Sequence, residues 1–198
     1  MLRLLPLPFI AVCIASSAAF NDPEVTMGVG EMIRHWGYPM ERHDVETSDG
    51  FVLELFRIPH GRKVTPSTDN STTCRPAILF VHGFSADGSQ YVWNPPETSA
   101  GYVFADSGFD VFIANVRGTP HGKNHRTLRT SDRAFWDFSV DEHTHIDLPA
   151  IIDKALSISG QKSLIYVGHS QGATIGLSLL SSHAEYNQKV IRRKSVLD

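Results

Sequence analysis

The sequence predicts an α/β fold with a mostly parallel sheet, and three observations support this prediction. Two short apolar runs, Ala77–Val81 and Asp110–Ala114, have the composition of buried strands, and helical sequence follows each of them. A third apolar run, residues 163–167, leads at once into Gly-x-Ser-x-Gly and then into a small, apolar, proline-free stretch, residues 173–180. Strands that alternate with helices are typical of a parallel sheet covered on both faces.

The N-terminal part of the chain is predicted to add a short helix and an antiparallel hairpin. Apolar residues within positions 22–38 recur at a spacing of three to four, which favours a helix that Pro39 ends. Residues 43–47 and Phe51–Ile58 are predicted strands, and Ser-Asp-Gly between them indicates a hairpin turn. Residues 60–75 are polar and rich in Ser, Thr and Pro, so we expect a surface loop there.

The later elements follow the same alternation. Residues 98–107 are predicted to form a short helix, and residues 135–157 a helical region with Pro149 near a helix start or at a kink. Residues 185–194 are strongly polar and charged, so no further strand is predicted after the Ser170 motif. The strand at residues 163–167 is therefore expected at an exposed sheet edge, with Leu164 and Ile165 uncovered.

The composition is that of a globular protein without a nucleic-acid-binding character. The 198 residues include 41% hydrophobic and 20% charged residues, and the net charge is −3 at neutral pH. This length is sufficient for one domain with a hydrophobic core, and the negative charge gives no electrostatic support for binding nucleic acid. The ten histidines would make the net charge positive in mild acid. The sequence predicts neither a metal site nor a cofactor.

The first 19 residues have the pattern of a secretory signal. Arg3 gives a positive start, residues 4–14 are mostly apolar, and Ser17-Ala18-Ala19 supplies the small residues of a cleavage site. We therefore expect residues 1–19 to be a signal peptide that is cleaved after Ala19. No later stretch is long and apolar enough to predict a transmembrane helix.

Two features of the remaining sequence bear on the secretory route. Asn70-Ser71-Thr72 is a glycosylation sequon in a polar stretch, so a glycan is expected at Asn70. Cys74 is the only cysteine left once Cys13 is removed with the signal, so this sequence predicts no intrachain disulfide.

Ser170 is the predicted nucleophile. The stretch Gly168-His169-Ser170-Gln171-Gly172 lies between a predicted strand and a predicted helix, which is the context of a nucleophile elbow. Such a turn holds the serine in a strained conformation, with its Oγ exposed at the carboxyl edge of the sheet. Glycine is required at positions 168 and 172 because a Cβ at either would crowd the turn.

The same architecture predicts two backbone donors for the oxyanion of a tetrahedral intermediate. One is the N–H of Gln171, directly after the nucleophile, and the other is the N–H of Phe84, in the loop after Ala77–Val81. His82 lies in this loop and is interpreted as a turn residue rather than a base. The histidine-rich run at residues 143–145 is interpreted as an exposed helix face, because it precedes the elbow on a helix that covers the sheet.

Several motifs together give the sequence a specific resemblance to a known family. They are Val81-His82-Gly83-Phe84, Ala114-Asn115-Val116-Arg117-Gly118, Phe135-Trp136-Asp137-Phe138-Ser139, Asp147-Leu148-Pro149-Ala150 and the Ser170 motif. From about Gly37 to Gly172 the sequence resembles the acid lipases, which include gastric lipase and lysosomal acid lipase. The resemblance implies an α/β-hydrolase fold, ester hydrolysis and a secreted or lysosomal location. Thr119 and Val140 depart from the family pattern, in loops that bear on substrate preference more than on the reaction.

The triad partners expected for this architecture are an Asp and a His that follow the serine. Residues 171–198 contain one histidine, His183, and one aspartate, Asp198. His183 follows a helix about 20 Å long and is expected to point away from Ser170. We therefore expect residues 20–198 to be a partial α/β-hydrolase domain that stops after the elbow strand and helix, without the triad Asp and His.

The predicted function is that of a lipase-family serine ester hydrolase, acting on triacylglycerols or sterol esters in lipid metabolism. The expected partner is a lipid ester, and a peripheral lipid interface fits this role. Two alternatives stay open. One is a catalytically inactive lipase-like protein that binds lipid or a partner, and the other is an α/β-hydrolase for another acyl ester.

Overall fold

One mixed sheet organises the protein, which is described by a computed structural model for residues 22–63 and 75–191. The strands are β1 (Glu41–Glu46), β2 (Phe51–Ile58), β3 (Ala77–Val81), β4 (Asp110–Ala114), β5 (Asn124–His125) and β6 (Ile165–Gly168). Their order is β1-β2-β4-β3-β6, and the two-residue β5 pairs with β2 off this path. β1, β2 and β4 are antiparallel neighbours, whereas β4, β3 and β6 are parallel. The predicted α/β sheet with an antiparallel start is confirmed.

The helices lie between the strands, as the alternation predicts. The main α-helices are α1 (Val29–His35), α2 (Ala100–Asp106), α3 (Leu148–Ser159), α4 (Gln171–Ser182) and α5 (Tyr186–Lys189). Short 3₁₀ helices cover Pro23–Thr26, Gly88–Tyr91 and Arg133–Trp136. None of the helices in the described ranges has the length and apolar content needed to cross a membrane.

The central strand β3 is buried on both faces because its alternate side chains enter two different cores. Leu79 joins a core that contains Ile151 of α3 and Ile175 of α4. Phe80 points to the opposite face and joins a core that contains Ile33 of α1. Helices therefore cover both faces of the parallel part of the sheet, which is why the strand sequence is apolar throughout.

The helical region before β6 differs from the predicted span of residues 135–157. A 3₁₀ turn ends at Trp136, and the helix begins at Val140, where the Ser139 hydroxyl accepts a hydrogen bond from the Asp141 N–H at 3.1 Å. Residues His143–Asp147 then form a π-helical turn, in which the Leu148 N–H donates to the carbonyl of His143, five residues back. Pro149 follows in the first turn of α3 and has no N–H to donate.

β6 lies at the edge of the described sheet, as predicted, but its beginning is covered. The Leu164 N–H donates to the Lys189 carbonyl at 2.8 Å, and the Ile191 N–H donates to the Leu164 carbonyl at 2.9 Å. Leu164 is fully buried, so the prediction that its side chain is uncovered is wrong. The reason is that Val190, an apolar residue within the polar stretch 185–194, forms a parallel bridge with Leu164.

A buried arginine joins three parts of the fold. Arg117, just after β4, donates from Nε and Nη2 to Oδ1 of Asp147 at 2.9 and 2.7 Å, and from its backbone N–H to Oδ2 at 3.0 Å. Its Nη1 donates to Oδ2 of Asp49, in the hairpin turn, at 2.6 Å. The guanidinium also stacks 4.1 Å from the ring centroid of Phe51. The β1–β2 turn, the end of β4 and the start of α3 are therefore held together by one side chain.

The two carboxylates that face Arg117 experience different surroundings. Asp147 is fully buried, and burial raises the pKa of its carboxyl against the opposing effect of Arg117. Asp49 is only partly buried, and although this burial acts to raise its pKa, the hydrogen bonds from Arg117 and Thr47 hold the pKa below its usual value. The three hydrogen bonds from Arg117 compensate the burial of Asp147, and their loss would leave a buried charge without a partner.

We predict that Arg117→Met destabilises the protein strongly. The substitution leaves Asp147 buried without its cation, a change that typically costs about 3–5 kcal/mol of unfolding free energy. The matched control is Arg126→Met, because Arg126 pairs with Glu46 on the surface and exposed pairs contribute at most about 1 kcal/mol. Urea unfolding of both variants and the wild type measures the difference. If Arg117→Met and Arg126→Met lost equal amounts of unfolding free energy, the buried contacts of Arg117 with Asp147 and Asp49 would not be what holds the fold together.

Candidate active site

The turn between β6 and α4 places Ser170 at the carboxyl end of the parallel strands. Ser170 has φ 49° and ψ −113°, and it is exposed. The His169 N–H donates to the Val81 carbonyl of β3 at 3.0 Å, and the Gly172 N–H closes the turn on the His169 carbonyl at 2.8 Å. The serine is thus held between an anchored strand end and the first turn of a helix.

Two glycines allow this turn because the backbone leaves no room for a side chain. A Cβ at Gly168 would lie 2.5 Å from the Gly172 carbonyl carbon and the Ala173 nitrogen. A Cβ at Gly172 would lie 2.3 Å from the Val81 carbonyl oxygen. Both distances are far shorter than a van der Waals contact, which accounts for the Gly-x-Ser-x-Gly pattern in physical terms.

The loop after β3 runs beside the serine. A Cβ added to Gly83 would lie 3.3 Å from the Ser170 Cβ, so the two backbones are closely packed. Within the described ranges, the backbone N–H groups of Phe84 and Gln171 donate to no other residue. Ser85 has φ 57°, and together with Ser170 it makes up the non-glycine positive-φ positions of those ranges. Unpaired backbone donors next to a nucleophile suit an oxyanion hole, so the roles of Phe84 and Gln171 stay predictions that the geometry permits.

A cavity of about 570 Å³ opens beside these loops. Its lining is mostly apolar and includes Phe84, Gln171, Trp93, Trp136 and Phe138. Three of its aromatic side chains reach solvent, since Phe84 is 77%, Trp93 54% and Trp136 45% exposed. The candidate oxyanion donors therefore border a space that suits an apolar group.

His82 has a structural role. Its ring is buried, with Nδ1 2.9 Å from the Gly83 carbonyl oxygen, and Nε2 accepts the Val116 N–H at 3.3 Å. These contacts require a neutral ring with its proton on Nδ1, and burial correspondingly lowers the pKa of His82. With both nitrogens engaged, the ring cannot take a proton from Ser170.

The neighbouring polar residues of the same motifs are also structural. Asn115 is fully buried and accepts the Gly88 N–H at 2.8 Å, while its Nδ2 donates to the Glu54 carbonyl at 3.0 Å. Thr119 lines the cavity, and its hydroxyl donates to the Val116 carbonyl at 2.9 Å. These residues fix the loops that surround the cavity.

No side chain of residues 22–63 or 75–191 is hydrogen-bonded to the Ser170 hydroxyl. His183 lies at the C-terminal end of α4, as expected, where its Nε2 is 3.1 Å from Nδ1 of His145. This distant pair lies at the wrong end of the helix to serve as a base. Over the same residues, no group of three or more metal-ligating side chains lies together.

Among the residues near the site, His143 is the one whose exposure was predicted wrongly. Its ring is only 8% exposed and lines the cavity, whereas His145 is exposed as predicted. Residues two apart on a helix point to nearly opposite faces, so the run cannot lie on one exposed face. The sequence does contain a signal for this orientation. The capping signature Ser139-x-x-Glu142 sets the helix start at Val140, and this start determines which face of the helix His143 occupies.

Three sequence predictions fall outside the described residues. They are the signal peptide of residues 1–19, the glycan at Asn70 and the unpaired Cys74. The structure neither supports nor contradicts them.

Family models match most of the described chain. Residues 29–95 match a partial alpha/beta-hydrolase lipase region, and residues 76–193 match the alpha/beta hydrolase fold. The two matches overlap at β3, the strand that precedes the candidate oxyanion loop.

Individual relatives and structures agree with these matches. The chain is 44% identical over 169 residues to Lysosomal acid lipase/cholesteryl ester hydrolase of Homo sapiens, a match that covers 85% of this chain and 41% of that protein. It is 40% identical over 180 residues to Gastric triacylglycerol lipase of Bos taurus, a match that covers 91% of this chain and 44% of that protein. The chain thus spans less than half the length of these curated relatives.

Among solved structures, an esterase from Pyrococcus furiosus aligns with a TM-score of 0.52 and 18% identity, over 77% of this chain and 50% of that one. A likeness at this identity concerns the fold alone. The chain belongs to the α/β-hydrolase fold family, and the resemblance of its sequence to the acid lipases of that family is confirmed.

Proposed function

We propose that this chain carries the nucleophile of an ester hydrolase, with Ser170 as the acyl-accepting residue. The observation that carries the proposal is the strained backbone of Ser170, at φ 49°, beside the N–H groups of Phe84 and Gln171, which donate to no residue of the described ranges. Strain at a non-glycine residue persists where the surrounding structure enforces it, and such positions cluster at active sites. The lipase relatives supply the reaction class.

The chemistry of the proposed site follows from these groups. The Ser170 Oγ attacks the carbonyl carbon of an ester, and its proton passes to a general base. The carbonyl oxygen becomes an oxyanion that the N–H groups of Phe84 and Gln171 stabilise. The tetrahedral intermediate then expels the alcohol, which takes the proton from the base, and water hydrolyses the remaining acyl-serine. The proposal assigns to the described residues the nucleophile and the oxyanion donors, and leaves the base and its carboxylate partner unassigned.

The proposed substrates are triacylglycerols or sterol esters, and the proposed context is lipid metabolism in the secretory pathway or the lysosome. The names of the two relatives, a lysosomal cholesteryl ester hydrolase and a gastric triacylglycerol lipase, include these substrate classes and locations. The mostly apolar cavity fits a fatty acyl chain, and the exposed Phe84, Trp93 and Trp136 fit contact with a lipid interface.

A second candidate function is lipid binding without catalysis. It is favoured by the absence of a hydrogen-bonded base at Ser170 within the described ranges. A fluorophosphonate probe separates the two candidates, because it modifies a serine that is activated as a nucleophile. Modification of Ser170 supports the hydrolase, whereas lipid binding by a chain that the probe leaves unmodified supports the binding protein.

We predict that Ser170→Ala removes the ester hydrolysis of the 198-residue chain. Because no side chain of residues 22–63 or 75–191 is hydrogen-bonded to the Ser170 hydroxyl, that hydrolysis should itself be slower than that of a complete triad by about 10⁴-fold or more. The measurement compares a soluble short-chain nitrophenyl ester with emulsified triacylglycerol, which separates a lipase from an esterase for other acyl groups. The control is Ser181→Ala, which alters an exposed serine of α4 far from the elbow.

Two outcomes would contradict this prediction. Hydrolysis that survives Ser170→Ala unchanged would exclude Ser170 as the nucleophile. Turnover by the wild-type chain at the rate of a complete lipase, lost in Ser170→Ala, would show that a base is present after all.

We also predict that the chain enters the secretory pathway. Expressed with its own N-terminus in a secreting eukaryotic cell, it should begin near Phe20 and carry a glycan at Asn70. Glycosidase treatment should reduce its mass, and Asn70→Gln should abolish that reduction while Asn124→Gln, at an exposed asparagine outside any sequon, should not. A cytosolic product that retains Met1 would contradict the prediction.

A further inference from the structure

One polar side chain in the cavity wall, that of His143, forms no hydrogen bond with the described residues. His143 lies in the π-helical turn His143–Asp147, which packs against α4, the helix that begins after Ser170. Its ring is 8% exposed and stands 5.6 Å from the ring centroid of Phe138, another residue of the cavity wall. The cavity wall thus contains an imidazole that contacts the Phe138 ring on one side and lies near Asp147 and Arg117.

Both ring nitrogens of His143 are inaccessible to solvent, and neither has a hydrogen-bond partner among the described residues. A buried polar group without a partner reduces stability, so proteins retain such groups mainly where a ligand or water completes them. His82, the other buried histidine of the cavity wall, shows the usual solution, because both of its nitrogens are paired within the protein. His143 differs from His82 in lacking these hydrogen bonds.

The charge state of the ring follows from its surroundings. Burial lowers the pKa of His143, and the nearby Asp147 carboxylate and Arg117 guanidinium oppose one another. A polar contact with the Arg117 backbone also acts to raise the pKa of His143, although its geometry falls short of a hydrogen bond to either ring nitrogen. A neutral imidazole offers one N–H donor and one acceptor nitrogen.

We propose that the His143 ring turns toward the cavity and binds the polar end of an acyl ligand, donating its N–H to the oxygen of a fatty acid carboxylate or ester carbonyl whose chain occupies the cavity. The inference rests on the proposed function for the chemical class of the ligand. His143 would contribute to ligand selection, by favouring an apolar chain that carries an oxygen acceptor over a hydrocarbon of the same length.

Three ligands of equal chain length test this inference: decanoic acid, methyl decanoate and 1-decene. Their dissociation constants are measured on the 198-residue chain from the fluorescence of Trp93 and Trp136, which line the cavity. His143→Leu should weaken binding of the acid or the methyl ester by about threefold to tenfold, the value of one hydrogen bond. Binding of 1-decene should not weaken, because it forms no hydrogen bond with the ring.

The controls separate a binding role from a structural one. His143→Leu should keep or raise the midpoint of urea unfolding, because it removes two unpaired nitrogens from a buried site. His143→Gln, which retains a donor, should restore part of the affinity for the oxygen-bearing ligands and provides a second variant if the first fails to fold. His145→Leu, the same change on the exposed side of the same turn, should alter none of the three dissociation constants.

The outcomes distinguish the source of the oxygen. If His143→Leu weakens the binding of both decanoic acid and methyl decanoate, the ring recognises the acyl carbonyl. If it weakens the binding of decanoic acid alone, the ring recognises the carboxylate product. Equal effects of His143→Leu on all three ligands, or no effect on any, would overturn the inference. Either result is independent of whether a fluorophosphonate modifies Ser170 in the wild type, so failure of the inference and failure of the proposed function are distinguishable.

Discussion

The buried contacts of Arg117 with Asp147 and Asp49 are the constraint on which the rest of the structure depends. They connect the turn of the β1–β2 hairpin, the end of β4 and the π-helical turn that leads into α3. Each of these segments borders the cavity or supports a segment that does. A planar guanidinium with five donors can bridge two carboxylates at fixed angles, which lysine cannot do. The cavity wall is therefore positioned by directional hydrogen bonds as well as by apolar packing.

The turn at Ser170 depends on a second constraint, the close approach of β3 and β6. The Val81 carbonyl accepts the His169 N–H, and Gly172 packs directly against the same carbonyl. Ser170 keeps its positive φ because both sides of the turn are fixed, by the sheet on one side and by α4 on the other. The loop after β3 is also close, since a Cβ at Gly83 would lie 3.3 Å from the Ser170 Cβ and 2.8 Å from Nδ1 of His169. Glycines on both loops let Ser170, the candidate nucleophile, lie close to the loop that carries the candidate oxyanion donor Phe84.

The strongest local patterns in the sequence predicted most of the sheet. β2, β3 and β4 lie where apolar composition indicates, and the elbow lies where Gly-x-Ser-x-Gly indicates. The errors occur where a long-range contact decides the outcome. Leu164 is covered because Val190, from a polar segment, returns to the sheet, and no local pattern reveals that return. His143 turns inward because of a helix start at Val140 that a broad helical prediction obscures. The fold therefore follows largely from local sequence, whereas the composition of the cavity wall requires the tertiary structure.

The position of β6 in the sheet has a consequence for the order of folding. β6 pairs with β3 in parallel, joining residues 165–168 to residues 78–81 across a long intervening chain. Closure of so long a loop is entropically costly, and contacts of this kind form slowly relative to hairpins such as β1–β2. The strained turn at Ser170 gains its anchor, the Val81 carbonyl, only when this pairing is complete. A chain that has not completed this pairing therefore lacks the anchor of the turn that presents the candidate nucleophile, Ser170.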